Sequence, residues 1–144
     1  IGRLVGSEMC IRDSKSIIVA VAHNTQKNTL FSYDERYDMC RKVLSKYENV
    51  DVIKLEKLTV EHAKELEARV MLRGLRAVSD FEYEVQLSNL NRAMNPSIES
   101  IFLSPDEKYS FISSSIIKDI ARHGGELKMF VDSYVEKKLR EKVN

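Results

Sequence analysis

Apolar-rich runs of strand length alternate along this chain with segments of helical period. The runs are Ile17–Ala22, Val50–Leu55, Ala68–Leu72 and Ser100–Leu103. The first is an unbroken apolar stretch, which is typical of a strand covered on both faces of a parallel sheet, and the last two are likewise predicted as buried strands. Strands and helices that alternate with short connections predict an α/β fold, in which a parallel sheet is flanked by helices.

Helices are predicted where a serine or threonine that can cap a helix precedes apolar residues at helical spacing. The residues with this signature are Ser32, Thr59, Ser79 and the run from Ser113 to Ser115. Ser32 and Ser79 also have a glutamate three residues later, which completes a capping box. Gly124-Gly125 is expected to close the fourth helix, and a last helix is expected from about Val131 to Glu141.

The segment that follows Ser79 has two competing periods. Its first apolar residues alternate with polar ones, as in an edge strand: Phe81, Tyr83, Val85 and Leu87. A second apolar series has helical spacing: Tyr83, Leu87, Leu90 and Met94. The capping box and the longer series favour a helix, with Glu84 near the ligand side, and Asn95-Pro96 ends it.

Size and composition limit the possible classes of protein. With 144 residues and 43% hydrophobic content, the chain can bury one core, so residues 15–144 are predicted to form a single domain. Its 23 basic and 22 acidic residues give no electrostatic case for nucleic acid or an anionic membrane as main partner. No apolar run is long enough to span a bilayer. Two cysteines without metal-ligand spacing fit a reducing cytoplasm.

Residues 1–14 fit neither a strand nor an amphipathic helix, because glycines and charged residues interrupt every period. They also lack the long apolar core of a secretory signal. We therefore expect a non-native segment that is unrelated to the domain. A disordered native tail is the alternative.

Three predicted loops follow strand ends and are expected at one edge of the sheet, where the carboxyl ends of parallel strands meet. They span residues 23–28, 73–78 and 104–115. In the second loop, Arg73 and Arg76 lie on either side of Gly74 and provide planar donors beside accessible backbone, which indicates phosphate handling. In the third, serines at a helix start offer N–H groups and the positive end of the helix dipole, which suit a triphosphate.

Each of these features also has a plainer interpretation. Surface ion pairing is the commoner role of an arginine, ordinary capping needs only one serine, and Lys27 fits a solvated loop. The three histidines share no ligand spacing, so they predict no zinc site. The chain also lacks the Ser-His-Asp, P-loop and G-x-G-x-x-G signatures, which removes the usual support for hydrolases, P-loop proteins and nicotinamide-dependent enzymes.

Residues Arg73 to Glu84 and Tyr109 to Ser115 together resemble the bacterial phosphopantetheine adenylyltransferase family, and the likeness extends from Lys15 to about the C-terminus. The resemblance implies a Rossmann-like nucleotidyltransferase fold. It also implies transfer of the adenylyl group of ATP to 4'-phosphopantetheine, which gives dephospho-coenzyme A and pyrophosphate with Mg²⁺. A cytoplasmic homohexamer is implied as well.

The resemblance assigns roles to particular residues. Lys27 and Arg73 would hold the phosphopantetheine phosphate, with Lys27 also near the α-phosphate as the catalytic side chain, and Thr59 would supply a backbone contact to pantetheine. The ATP-binding residues would be Gly74, Leu75, Arg76, Glu84, Tyr109, Ser110, Phe111, Ile112, Ser113, Ser114 and Ser115. No protein nucleophile is implied, so catalysis would consist of positioning and charge stabilisation.

The chain departs from this family at its start. Family members begin with a strand and a turn of the type G-[ST]-F-D-P-x-T-x-G-H, whose threonine and histidine contact ATP. Neither residue has a counterpart here, and counting back from Lys15 predicts that the first strand and turn, roughly 25 to 30 residues, are missing or replaced. We expect this chain to be nearly inactive. The alternatives are a non-catalytic nucleotide-binding module and a sister nucleotidyltransferase with another acceptor.

Overall fold

The computed structural model describes residue 11 and residues 13–23, 29–75, 78–105 and 107–143. The strands are β1 (Ile17–Ala22), β2 (Val50–Leu55), β3 (Val70–Gly74) and β4 (Glu99–Leu103). The helices are α1 (Tyr33–Leu44), α2 (Thr59–Glu65), α3 (Val78–Met94), α4 (Glu107–Ser110), α5 (Ser114–Arg122) and α6 (Ser133–Val143). The alternation of strands and helices confirms the predicted α/β class.

Two local signals are confirmed where they were expected. The Glu35 backbone N–H donates to the Ser32 hydroxyl at 3.2 Å, and the Ser32 N–H donates to the Glu35 carboxylate at 2.7 Å, which is the predicted capping box of α1. Gly124, two residues past the end of α5, has a φ of 71°. This left-handed conformation favours glycine and ends the helix.

Three helix starts differ from the prediction. The cap predicted at Thr59 is wrong by one residue, because Leu58 precedes α2 and no side chain caps that end. Helix α3 begins at Val78, one residue before the predicted Ser79. Helix α6 begins two residues late, because the Asp132 carboxylate accepts a hydrogen bond from the Tyr134 N–H at 2.9 Å and fixes the first turn there.

The described strands form two two-stranded sheets, β1 with β2 and β3 with β4. Strands β3 and β4 are parallel, and their register runs from Val70 opposite Glu99 to Gly74 opposite Leu103. The predicted parallel sheet is thus divided into two pairs, since no described strand joins them. The resemblance implies that the first strand of the family fold is missing or replaced, and this stays a prediction.

The chain divides into two compact units. The first contains the residues up to Lys54 together with those from Ile112 onward, and the second contains Leu55–Phe111. In the first unit, α1, α5, α6 and the loop before α6 supply the buried side chains Met39, Leu44, Ile117, Ala121, Leu127, Val135 and Leu139. At the edge of this unit, the Lys142 ammonium lies 2.7 Å from the Glu35 carboxylate and lowers its pKa.

Part of the predicted unrelated segment is packed within the first unit. Ile11 is buried, and the Asn49 side-chain amide donates to the backbone oxygens of Ile11 at 2.6 Å and Ser14 at 2.8 Å. These contacts describe where the end of that segment lies. That residues 1–14 are unrelated to the domain remains a prediction.

The second unit has a small core under one face of the β3–β4 sheet. This core consists of Val60, Ala63, Met71 and Ile98, with Ala68 packed against it. On the sheet, Val70, Leu72 and Ile101 are each more than one-third exposed. The prediction that β3 and β4 are buried strands is therefore wrong for these positions, because α2 covers only the side that carries Met71.

Two further expectations concern the environment of the chain. Cys40 is a buried free thiol, and burial raises its pKa, so the thiolate is disfavoured. Among the described helices, none is long and apolar enough to cross a membrane. The predicted cytoplasmic location remains a prediction.

Candidate functional site

The candidate site begins at the carboxyl end of β3. Because β3 and β4 are parallel, Gly74 and Leu103 end the two strands at the same edge, and the Leu75 N–H continues the pairing by donating to the Leu103 oxygen at 2.9 Å. Arg73 and Gly74, which were predicted to begin the loop, are instead the last two residues of β3, and the residues after them start beside the loop after β4. In α/β folds this edge is where ligands bind, so the predicted placement of these two loops is confirmed within the second unit.

Arg73 is held at this edge by Glu84 of α3. The Arg73 Nε–H donates to Glu84 Oε2 at 2.6 Å, and Nη2–H donates to Glu84 Oε1 at 2.9 Å. The Glu84 side chain is only 7% exposed, whereas 40% of the Arg73 side chain is exposed. Two parallel hydrogen bonds between a guanidinium and a carboxylate fix both the position and the plane of the arginine.

Gly74, which follows Arg73, leaves open space where a side chain would project. Gly74 is exposed, and a Cβ atom built on it would meet no atom within 4 Å. Leu75 is half-buried beside it. Arg76, the second arginine of the predicted turn, lies outside the described residues, and so does Lys27. Their predicted roles stay predictions.

The loop after β4 contains a single helical turn, α4, that the sequence did not predict. Tyr109 and Ser110 end this turn, and Phe111 follows it with 58% of its surface exposed. These three residues belong to the second unit, together with Arg73. An exposed aromatic ring after a strand end offers a flat apolar surface, which suits stacking against a base.

The serine run lies in the first unit, at the start of α5. Ser113 caps the helix, and its hydroxyl accepts a hydrogen bond from the Ile116 N–H at 3.2 Å, so the capping interpretation is confirmed for this serine. Ser114 and Ser115 are exposed in the first turn, whereas the Ile112 side chain is buried. The predicted meeting of this run with Arg73 and the residues after it stays a prediction.

The pantetheine contact predicted for Thr59 falls at the first residue of α2. Thr59 is half-buried and lies directly after the exposed Leu58. The predicted backbone contact of Thr59 with pantetheine stays a prediction. No described group of three or more histidine, cysteine, aspartate or glutamate side chains could hold a metal ion.

Sequence reasoning missed a cluster of aromatic and cationic side chains at the carboxyl ends of β1 and β2. The Tyr33 ring meets the His23 ring edge-on at 5.1 Å, and the Lys54 ammonium lies 5.5 Å from its centre. Arg36 donates to the Ala22 oxygen at 3.0 Å. The sequence shows that Tyr33 and Tyr37 are spaced as neighbours on one face of a helix. It does not indicate that Lys54, which is far away in the chain, contacts both rings.

Residues 8–120 match the family model described as cytidylyltransferase-like. The match covers well over half of the chain, includes β1 to β4 and the Arg73–Glu84 pair, and begins inside the segment 1–14. Parallel strands flanked by helices are the Rossmann-like arrangement of nucleotidyltransferases, and the match confirms this predicted fold class.

Proposed function

We propose that this chain, which belongs to the cytidylyltransferase-like family, transfers the adenylyl group of ATP to 4'-phosphopantetheine. The products are dephospho-coenzyme A and pyrophosphate, so the reaction is a step of coenzyme A biosynthesis. The family supports nucleotidyl transfer in general. The choice of adenylyl group and acceptor rests on the likeness of Arg73 to Glu84 and Tyr109 to Ser115 to phosphopantetheine adenylyltransferases.

The observation that carries the proposal is the placement of Arg73 beside the open backbone of Gly74. A guanidinium that Glu84 fixes in its plane, on a side chain that is 40% exposed, is suited to bind a phosphate through two parallel hydrogen bonds. The accessible backbone next to it allows a second phosphate-bearing group to approach closely. We therefore propose that both reactants bind at this edge of the β3–β4 sheet.

The proposed chemistry needs no nucleophile from the protein. A phosphate oxygen of the acceptor attacks the α-phosphorus of ATP in line, the bond to the bridging oxygen breaks, and pyrophosphate leaves with the electron pair. Arg73 and Lys27 would hold the acceptor phosphate, and Thr59 would contact the pantetheine arm through its backbone. The residues proposed for ATP are Gly74, Leu75, Arg76, Tyr109, Ser110, Phe111, Ile112, Ser113, Ser114 and Ser115.

Mg²⁺ is proposed as the metal that accompanies ATP. The described residues contain no cluster of carboxylates that could form a protein cage for it. Mg²⁺ at nucleotides is usually bound by substrate phosphates and water, so the proposal does not require such a cluster. When bound, the metal would offset phosphate charge, and the protein side chains would position the two reactants.

The direct experiment is to incubate the chain with ATP, Mg²⁺ and 4'-phosphopantetheine and to follow pyrophosphate. We expect slow release that depends on the acceptor, because the threonine and histidine of the family turn have no counterpart here. Pantetheine, which lacks the phosphate, is the matched control and should give none. Binding of ATP without any turnover would favour the non-catalytic module, and turnover with a different phosphorylated acceptor would favour the sister enzyme.

We also propose that the chain acts as a homo-oligomer, a hexamer by the same resemblance, with no nucleic acid or membrane partner and in the cytoplasm. The supporting feature is the apolar series of α3, which is exposed at three of its four positions. The series consists of Tyr83, Leu87, Leu90 and Met94. Tyr83, Leu90 and Met94 are each about half exposed or more. A stripe of this kind is typical of a surface that packs against another protein.

Replacing Leu90 by lysine is expected to weaken self-association about tenfold or more. A buried leucine contributes about 1.5 to 3 kcal/mol, and a charge at the same place has to be desolvated. Sedimentation equilibrium over a range of protein concentrations measures the change. Leu66→Lys, which replaces an exposed leucine at the end of α2, is the control and should leave association unchanged. A chain that is monomeric before any substitution would contradict the proposal.

A further inference from the structure

Both carboxylate oxygens of Glu84 are engaged by Arg73. Oε2 accepts from Nε at 2.6 Å and Oε1 accepts from Nη2 at 2.9 Å, and the Glu84 side chain is only 7% exposed. A carboxylate that is removed from water needs a partner that supplies positive charge and donors together. The guanidinium of Arg73 supplies both. Glu84 thus faces the arginine and is shielded from solvent.

Counting donors shows what remains on Arg73. A guanidinium has five N–H groups, and Glu84 accepts from one on Nε and one on Nη2. The second N–H of Nη2 and both of Nη1 are not used by this pair. One from each nitrogen points along the outer edge in parallel, which matches two oxygens of a phosphate. Because 40% of the Arg73 side chain is exposed, solvent has access to part of it.

We propose that Glu84 is a positioning residue, which fixes the Arg73 guanidinium so that its outer edge binds the phosphate of the acceptor. The resemblance assigned Glu84 a contact with the nucleotide, whereas this inference gives it a role that acts through Arg73. The inference rests on the proposed function for the identity of the acceptor. The pairing of Arg73 with a phosphate group does not depend on the proposed function.

Pre-orientation gives this arrangement its consequence for binding. A free arginine loses rotamer freedom when it binds a ligand, and one that is already held by a carboxylate loses less. Glu84 is therefore expected to increase the preference for a phosphorylated acceptor over the same molecule without its phosphate. Lysine at position 73 could not reproduce this geometry, because an ammonium is a single point of charge and has no second edge.

The test measures binding of 4'-phosphopantetheine, pantetheine and inorganic phosphate by calorimetry. In Glu84→Gln, one acceptor oxygen and the negative charge are lost while the size is kept. We expect the affinities for phosphopantetheine and for inorganic phosphate to fall about tenfold, with the affinity for pantetheine unchanged. Glu84→Asp keeps the charge on a shorter stem and should give a smaller loss. Glu82→Gln, an exposed glutamate on the same helix, is the matched control.

A purely structural role of Glu84 would lower binding of phosphopantetheine and pantetheine by the same factor, and that result would overturn the inference. A loss of ATP affinity with phosphate binding intact would overturn it as well, because Glu84 would then contact the nucleotide. If Glu84→Gln does not fold, Glu84→Asp and Arg73→Lys carry the test with the same expected pattern. Loss of inorganic phosphate binding in Arg73→Lys and in Glu84→Gln, with no wild-type preference for phosphopantetheine, would support the positioning role while rejecting the proposed acceptor.

Discussion

Replacing residues 1–14 with a segment that contains the turn G-[ST]-F-D-P-x-T-x-G-H is expected to raise the rate of pyrophosphate release by roughly 10² to 10³. The threonine and histidine of that turn would act on the charge that develops on the phosphates during transfer. Residues 1–14 contain neither threonine nor histidine. Because a preorganised donor is effective only in the transition state, the increase should appear in kcat more than in KM.

A matched segment in which the threonine and histidine are both alanine separates two causes. It supplies the strand and the turn but not the charge-stabilising groups, so it should improve the stability of the fold and leave the rate low. Equal rates for the two segments would mean that the strand alone was limiting. If the unaltered chain already reaches the rate of the extended one, the expectation of near inactivity is wrong.

Arg73→Met is expected to lower the free energy of unfolding by about 2 to 4 kcal/mol, because it leaves the carboxylate of Glu84 buried without its partner. Methionine keeps most of the apolar stem of the arginine, so lost packing contributes little. The loss should be near the lower end for a buried pair, since Arg73 itself is 40% exposed. Urea denaturation followed by circular dichroism measures the difference.

The double variant Arg73→Met with Glu84→Leu distinguishes this cause from a general disturbance of the turn. Removing both charges leaves no carboxylate to desolvate, so most of the lost stability should return while phosphate binding stays absent. Arg122→Met is the control for an ordinary ion pair, because Arg122 and Asp119 are both largely exposed, and it should cost less than about 1 kcal/mol. If the double variant is no more stable than Arg73→Met, the buried carboxylate is not the cause.

Some short-range signals in the sequence predicted the local structure correctly, although three helix starts were placed wrongly. The capping box of Ser32 and Glu35 works over three residues, and the glycine at position 124 ends α5 through its own backbone conformation. The strands could be located because each is a local concentration of apolar residues. In each case the cause and the effect lie within one turn or one strand, so the sequence contains both.

Long-range pairing could not be predicted in the same way. The partner of Arg73 is eleven residues away on another element, and an apolar series at helical spacing usually marks the buried face of a helix. The helix instead buries Glu84 and exposes Tyr83 and Leu90. Glu84 is buried in an ion pair with two hydrogen bonds, and the geometry of that pair is not specified by residue spacing.

Gly74 is a case in which the fold makes no demand on the residue. Its φ lies outside the left-handed region, and empty space lies where a methyl group would project. Alanine would therefore fit there as far as the protein itself is concerned. Any harm that a side chain causes at this position would come from a molecule resting directly on the main chain, so intolerance of alanine would report the bound substrate.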